Sequence, residues 1–187
     1  MHAQETNMGR EVRMVPPGWE HPHEPGTYSD GSRRHVPLLK GPYSERLAEW
    51  DEGARRWEAG EVADWSKWPE HGWKPRAADM SCETYEDRNG PRPEPQDYMP
   101  EWPEGTATML VMYESTSEGT PISPAFATPE GLARWLADNG ASAFGDIGAS
   151  YEQWLGMIRR GSAPSAILTR HADGSGTLQS GVAAISD

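Results

Sequence analysis

Proline placement constrains this chain more than any other feature: 13 of its 17 prolines fall in the first 104 residues. A proline has no amide hydrogen to donate and holds φ at about −65°, so it interrupts helices and interior strands alike. Residues 15–42 carry Pro16, Pro17, Pro22, Pro25, Pro37 and Pro42 and read as extended loop, with Trp19 and Tyr28 as its anchors. Residues 1–14 read as a flexible N-terminus. One regular element fits between the prolines, a helix over residues 44–60. Ser44 can cap its first turn, Glu45 favours its positive end, and Gly60 suits a left-handed stop. Leu47, Trp50, Ala54 and Trp57 recur at spacings of three and four, which places them on one packing face of an amphipathic helix.

Beyond Gly60, Trp65, Trp68 and Trp73 fall close together. Such a run suits an aromatic platform for bases, sugars or a cation. The plainer reading is a loop that tryptophans hold against a core. Residues 86–95 are polar and rich in proline and read as a linker, ending in a docked stretch from Tyr98 to Pro103. Residues 15–104 are therefore expected to be largely irregular and docked on a C-terminal module over residues 105–187.

Residues 105–187 carry agreeing local signals. Thr108 to Glu114 read as a mostly buried strand. Thr128 and Pro129 open a helix over residues 129–139, and Leu132, Trp135 and Leu136 form its inner stripe. A third helix begins at Ser150, whose spacing to Gln153 fits a capping box, and ends near Arg160 and Gly161. Ser165 to His171 and Thr177 to Ile185 read as two strands joined by a turn at Asp173 to Gly176. The expected fold class is α+β: a small antiparallel or mixed sheet of about three strands covered by two helices, preceded by the Pro/Trp-rich half.

Length and composition narrow the function classes. At 187 residues the chain suits one domain of moderate size or one compact domain with an irregular appendage, and nine tryptophans compensate for a hydrophobic content of only 35%. The single Cys82 cannot form an internal disulfide, as in a reducing compartment. No apolar run approaches the roughly 20 residues that span a bilayer. The opening Met1-His2-Ala3-Gln4-Glu5 lacks the basic and apolar pattern of a secretory signal, so cytoplasm is expected. The net charge of −12, negative in both parts of the chain, argues against direct nucleic-acid binding through phosphate neutralisation. It favours a basic or neutral partner.

His21, His23, His35 and Cys82 could supply nitrogen and sulfur ligands to zinc, but their spacing matches no common framework and no metal is expected. There is no G-x-S-x-G elbow, phosphate loop or G-x-G-x-x-G, so no catalytic residue and no cofactor is expected. The loop over residues 115–124 is different in kind. Thr116, Ser117, Glu118, Thr120 and Ser123 place hydroxyls and a carboxylate on a backbone stiffened by Pro121 and Pro124, which lowers the ordering cost of binding. The plainer reading is that these hydroxyls satisfy the loop's own amides. Candidate binding residues are therefore Thr116, Ser117, Glu118, Thr120 and Ser123, with Trp65, Trp68 and Trp73 as a stacking wall.

Several phrases carry a resemblance. Val15-Pro16 through Trp19-Glu20-His21-Pro22, Glu49-Trp50-Asp51-Glu52-Gly53, Asp97-Tyr98-Met99-Pro100 and Glu118-Gly119-Thr120-Pro121-Ile122-Ser123-Pro124 resemble a family of small uncharacterised proteins encoded by tailed phages and prophages. Ala133-Arg134-Trp135-Leu136-Ala137-Asp138, Tyr151-Glu152-Gln153-Trp154-Leu155 and Ala163-Pro164-Ser165 are similar to it as well. The resemblance implies a genomic setting and no catalytic residues. With it, the expected function is that of a non-enzymatic, phage-encoded binding protein of the host cytoplasm. Its partner would be a host or phage protein, and an accessory or anti-defence role fits. The alternatives are a nucleotide-type ligand protein or sponge using the loop over residues 115–124, and a virion or assembly component.

Overall fold

The computed structural model describes residues 9–27, 29, 31, 33–67, 72–78, 84–115, 119–171 and 175–184. Over these residues the chain is a mixed α+β protein with four α-helices and several small antiparallel sheets. In chain order the first elements are β1 (Gly9–Val15), β2 (His23–Thr27), β3 (Arg33–His35), α1 (Tyr43–Glu58), β4 (Glu61–Asp64), β5 (Gly72–Pro75) and α2 (Tyr85–Asn89). They are followed by β6 (Met109–Glu114), β7 (Thr120–Pro121), α3 (Pro129–Asp138), α4 (Tyr151–Arg160), β8 (Ser162–Pro164), β9 (Ala166–Arg170) and β10 (Gly176–Ser180). The chain divides into two compact units. One is built on Leu39–Glu101, and the other on the described residues before Leu39 together with Trp102–Asp187.

The second unit is organised by a four-stranded antiparallel sheet in the order β7-β6-β1-β8. Strand β1 pairs with β6 from Arg10↔Glu114 to Val15↔Met109, and with β8 from Gly9↔Pro164 to Glu11↔Ser162. Because alternate residues of a strand face opposite ways, Val12 opposes Met112 on one face while Glu11 opposes Tyr113 on the other. On the first face Met112, Leu132, Leu136, Trp154, Met157 and Ile158 form the core that α3 and α4 bring to the sheet. Burying side chains of this size stabilises by about 1.5–3 kcal/mol each. Both helices begin as their sequences predict. The Thr128 hydroxyl accepts from the Gly131 amide at 3.1 Å, and Ser150 and Gln153 form the reciprocal capping box. Gly161 ends α4 in the left-handed region at φ 95°.

Five expectations need correction. Residues 9–14 are not a loose terminus, because β1 is an interior strand with only Met14 of Gly9–Val15 exposed. Its charges concealed it: Arg10, Glu11 and Arg13 look like surface residues, yet each is buried and paired. Residues 15–42 are not loop throughout, since β2 and β3 form a short hairpin there with a bulge between His23 and Thr27. The two C-terminal strands do pair, Gly176↔Arg170 to Ser180↔Ala166, but as a separate two-stranded sheet; β7 and β1 take the places beside β6, and β8 pairs with the far edge of β1. Helix α1 is not capped by Ser44: it starts after Pro42 without a side-chain cap, and the Ser44 amide and hydroxyl donate instead to Glu101 Oε1 at 3.3 and 3.0 Å. The stretch 86–95 is not a plain linker, because Thr84 and Asp87 build a capping box that starts α2.

Candidate functional site

The unit on Leu39–Glu101 carries a cavity of about 860 Å³ that is partly open to solvent, within the roughly 300–1,000 Å³ range of small-ligand sites. Its aromatic lining comes from Trp50 and Trp57 of α1, Trp65 after β4, Trp73 of β5, Tyr85 of α2, and Tyr98. Trp50 and Trp57 are seven residues apart and share a face of α1. Gly53, one turn from each, is buried because Tyr85 lies over it: a Cβ built there would sit 1.9 Å from the tyrosine hydroxyl. The Tyr85 ring meets Trp50 edge-on at 5.2 Å, and the Trp50 indole donates to the Gly90 carbonyl at 3.2 Å. Burial, and then the nearby Glu49 carboxylate, raise the pKa of the Tyr85 hydroxyl.

Strands β4 and β5 form the second wall. Their register pairs Ala63 with Trp73 and Val62 with Lys74, and the Arg76 amide returns to the Gly60 carbonyl at 2.7 Å. Gly60 has φ 80°, the left-handed stop expected after α1. The segment after α2, stiffened by Pro91, Pro93 and Pro95, closes the third side. Leu39 donates to the Asp97 carbonyl at 2.7 Å, and Met99 donates back to Leu39 at 2.9 Å. Guanidinium groups cover two of the indoles, Arg76 over Trp57 at 4.4 Å and Arg56 over Trp73 at 5.3 Å.

The charged residues around the cavity are balanced and mostly engaged with one another. Arg46 meets Glu49 at 2.7 Å, Lys74 meets Asp64 at 3.1 Å, and Arg92 holds Asp51 through two nitrogens at 3.0 Å each. Arg56 bridges Glu52 and Glu61 at 2.8 and 2.9 Å. Hydrogen bonds from Arg55 and Arg56 lower the pKa of Glu52, and those from Ser66 and Lys74 lower that of Asp64, so both stay ionised. Asn89 donates to the Tyr85 carbonyl at 3.1 Å, and among the described residues its amide oxygen and second N–H have no partner.

The candidate residues separate between the units. Trp65 and Trp73 line the cavity, with Trp65 56% exposed. Thr120 and Ser123 belong to the other unit, and Thr116, Ser117, Glu118, Trp68 and Cys82 lie outside the described residues. Thr120 pairs with Glu114 in β7. The Ser123 hydroxyl accepts from the Met112 amide at 2.9 Å and donates to the Pro124 carbonyl at 2.9 Å, so it serves its own fold. Trp50 and Trp57 were legible as packing residues only, and Tyr85 was not singled out. The signal that they border a cavity was the excess of aromatic residues in one short unit, more than its helix needs for packing.

Three imidazoles, those of His21, His23 and His35, form a second cluster. His21 Nε2 lies 2.6 Å from the Val36 carbonyl, which only accepts, so that nitrogen carries the hydrogen. Nδ1 then accepts from the Tyr113 hydroxyl at 3.0 Å. His35 stacks edge-on to His21 at 5.2 Å and tilted against His23 at 4.7 Å. Arg13 lies over the Tyr113 ring at 4.4 Å, meets Glu11 at 2.5 Å and donates to the Leu38 carbonyl at 2.6 Å. With both nitrogens of His21 engaged, this cluster is built as a buried polar support for the sheet. Among the described residues no group of three or more His, Cys, Asp and Glu side chains could hold a metal ion. No described helix is long and apolar enough to cross a membrane. Comparison with family models, curated proteins and solved structures finds no match.

Proposed function

We propose that this protein acts by binding, and that its site is the aromatic cavity of the Leu39–Glu101 unit. The observation that carries the reading is a cavity of small-ligand size whose walls are contributed by six aromatic side chains from five segments of the chain. Rings held from several sides cost little to order on binding, because their conformational entropy is already lost. The loop over residues 115–124 is the weaker candidate, since Ser123 already satisfies its own backbone. The phage setting implied by the resemblance, the host cytoplasm and an accessory or anti-defence role belong to the same proposal. In that setting the protein sequesters a small host molecule.

Thermal-shift and tryptophan-fluorescence screens with small aromatic and heteroaromatic compounds test the site. A saturable response is expected, with a melting point that rises with ligand concentration by mass action. Trp73→Ala should abolish it while circular dichroism stays unchanged. Silence from the whole screen, or a response that persists in Trp73→Ala, would overturn the reading. A stoichiometric host protein recovered on the intact chain, with no small-molecule response, would favour the protein-partner reading instead.

A further inference from the structure

Resting on that reading of the cavity, we infer that its ligand is an uncharged heteroaromatic compound of the nucleoside class, recognised by its ring and ring edge and not by a phosphate. Phosphate recognition draws on guanidinium, ammonium or amide donors that are free to form charge-assisted bonds. Around this cavity Arg46, Arg92 and Lys74 are each held by a carboxylate within 3.1 Å. The lining contains four cationic residues, Arg46, Lys74, Arg88 and Arg92, against four carboxylates, Glu49, Glu52, Glu61 and Asp97. Such a rim gives neither a polyanion nor a cation a net electrostatic advantage.

A plain hydrocarbon ring would be a poor match for the same rim. Asn89 retains a donor and an acceptor, and Asp97, whose backbone is anchored to Leu39, presents an exposed carboxylate with no hydrogen bond or ion pair among the described residues. Side chains of these two types match the N–H and carbonyl pattern on a base edge, and the indoles supply a stacking surface. A base presents that edge without any charge. Stacking alone contributes about 1–3 kcal/mol per base, enough for a measurable affinity without phosphate contacts.

Calorimetric titration of the full chain with adenosine, guanosine, cytidine and uridine, with their 5′-triphosphates, and with indole and phenyltrimethylammonium distinguishes the possibilities. At least one nucleoside should bind tenfold or more tighter than its own triphosphate, than indole and than the ammonium compound. Its affinity should change less than threefold between about 50 and 500 mM salt, because no counterions are released. Asp97→Asn, an exposed change that leaves the backbone bonds in place, should weaken that nucleoside at least tenfold and leave indole unaffected. Tighter triphosphate binding with a steep salt dependence, tighter binding of indole or the cation, or an unaffected Asp97→Asn variant would overturn the nucleoside assignment while the cavity stood. No binding by any of these probes would overturn the assignment and the cavity reading together.

Discussion

His21 and Tyr113 share a hydrogen bond of 3.0 Å inside the sheet unit, with the imidazole accepting and the phenol donating. The direction matters because it is available only to the neutral imidazole. Burial is the main reason that the His21 pKa falls from 6.5 to about 4, with His35, Arg13 and His23 adding like-charge repulsion against the favourable Val36 carbonyl. Burial and His23 lower the His35 pKa as well.

The pH dependence follows from the sign of those shifts. Between pH 6.5 and about 4 the unfolded chain binds protons that the folded chain refuses, so the stabilisation is complete above pH 6.5 and is lost as the pH falls toward 4. His21 can contribute at most about 3 kcal/mol to that loss, less to the extent that water screens it. Urea midpoints measured from pH 7.5 to 4 should fall over this window. In His21→Gln the midpoint at pH 7.5 should be lower and the slope across the window shallower; an unchanged slope would show that His21 is not the titrating group.

Arg13 and Glu11 form a buried ion pair on the sheet face that carries Tyr113. Removing one member leaves the other's charge buried without this ion pair, which costs about 3–5 kcal/mol. Arg13→Met should therefore destabilise strongly. Adding Glu11→Leu should restore part of the loss, giving a coupling of about 1–3 kcal/mol in a double-mutant cycle by chemical denaturation. Strict additivity would mean that the pair contributes nothing as a pair.

Ser123→Ala should lower stability by about 1–2 kcal/mol, because the Met112 amide in β6 loses its acceptor. Among the described residues no donor bonds the Thr120 hydroxyl, so Thr120→Ala should stay within about 0.5 kcal/mol. Thermal melts of the two variants, side by side, check the contrast.

Gly53→Ala should disturb the aromatic cavity from behind. The added methyl meets the Tyr85 ring, which would have to swing away from Trp50. Overpacking of this kind costs about 1–3 kcal/mol. The expected result is a lower melting point and weaker binding in the cavity; an unchanged indole emission spectrum and melting point would show that Tyr85 is not packed against Gly53.

Much of the sheet unit was legible because its signals are local. Thr128 with Pro129, and Ser150 with Gln153, announce helix starts through contacts three residues apart, and the run from Met109 to Glu114 is apolar enough to read as a buried strand without knowing its neighbours. Strand β1 was not legible, for the opposite reason. Its first amide hydrogen-bonds to the Ser115 hydroxyl 106 residues away, and its charges look exposed until Ser142 and Glu114 are seen around Arg10.

The candidate site divided along the same line. Trp65 and Trp73 stood out as an aromatic concentration, but the helical pattern over residues 44–60 marked Trp50 and Trp57 only as an inner helix face. By itself the sequence determined an acidic, tryptophan-rich α+β chain, the capped ends of α3 and α4 and the core of β6, all set by residues within one or two turns of each other. Only the tertiary structure decided that Gly9–Val15 enters the sheet, that Ser123 serves the backbone, and that Tyr85 and Trp73 reach one cavity. Those outcomes depend on pairings across dozens of residues, where burial and partner geometry outweigh local preference.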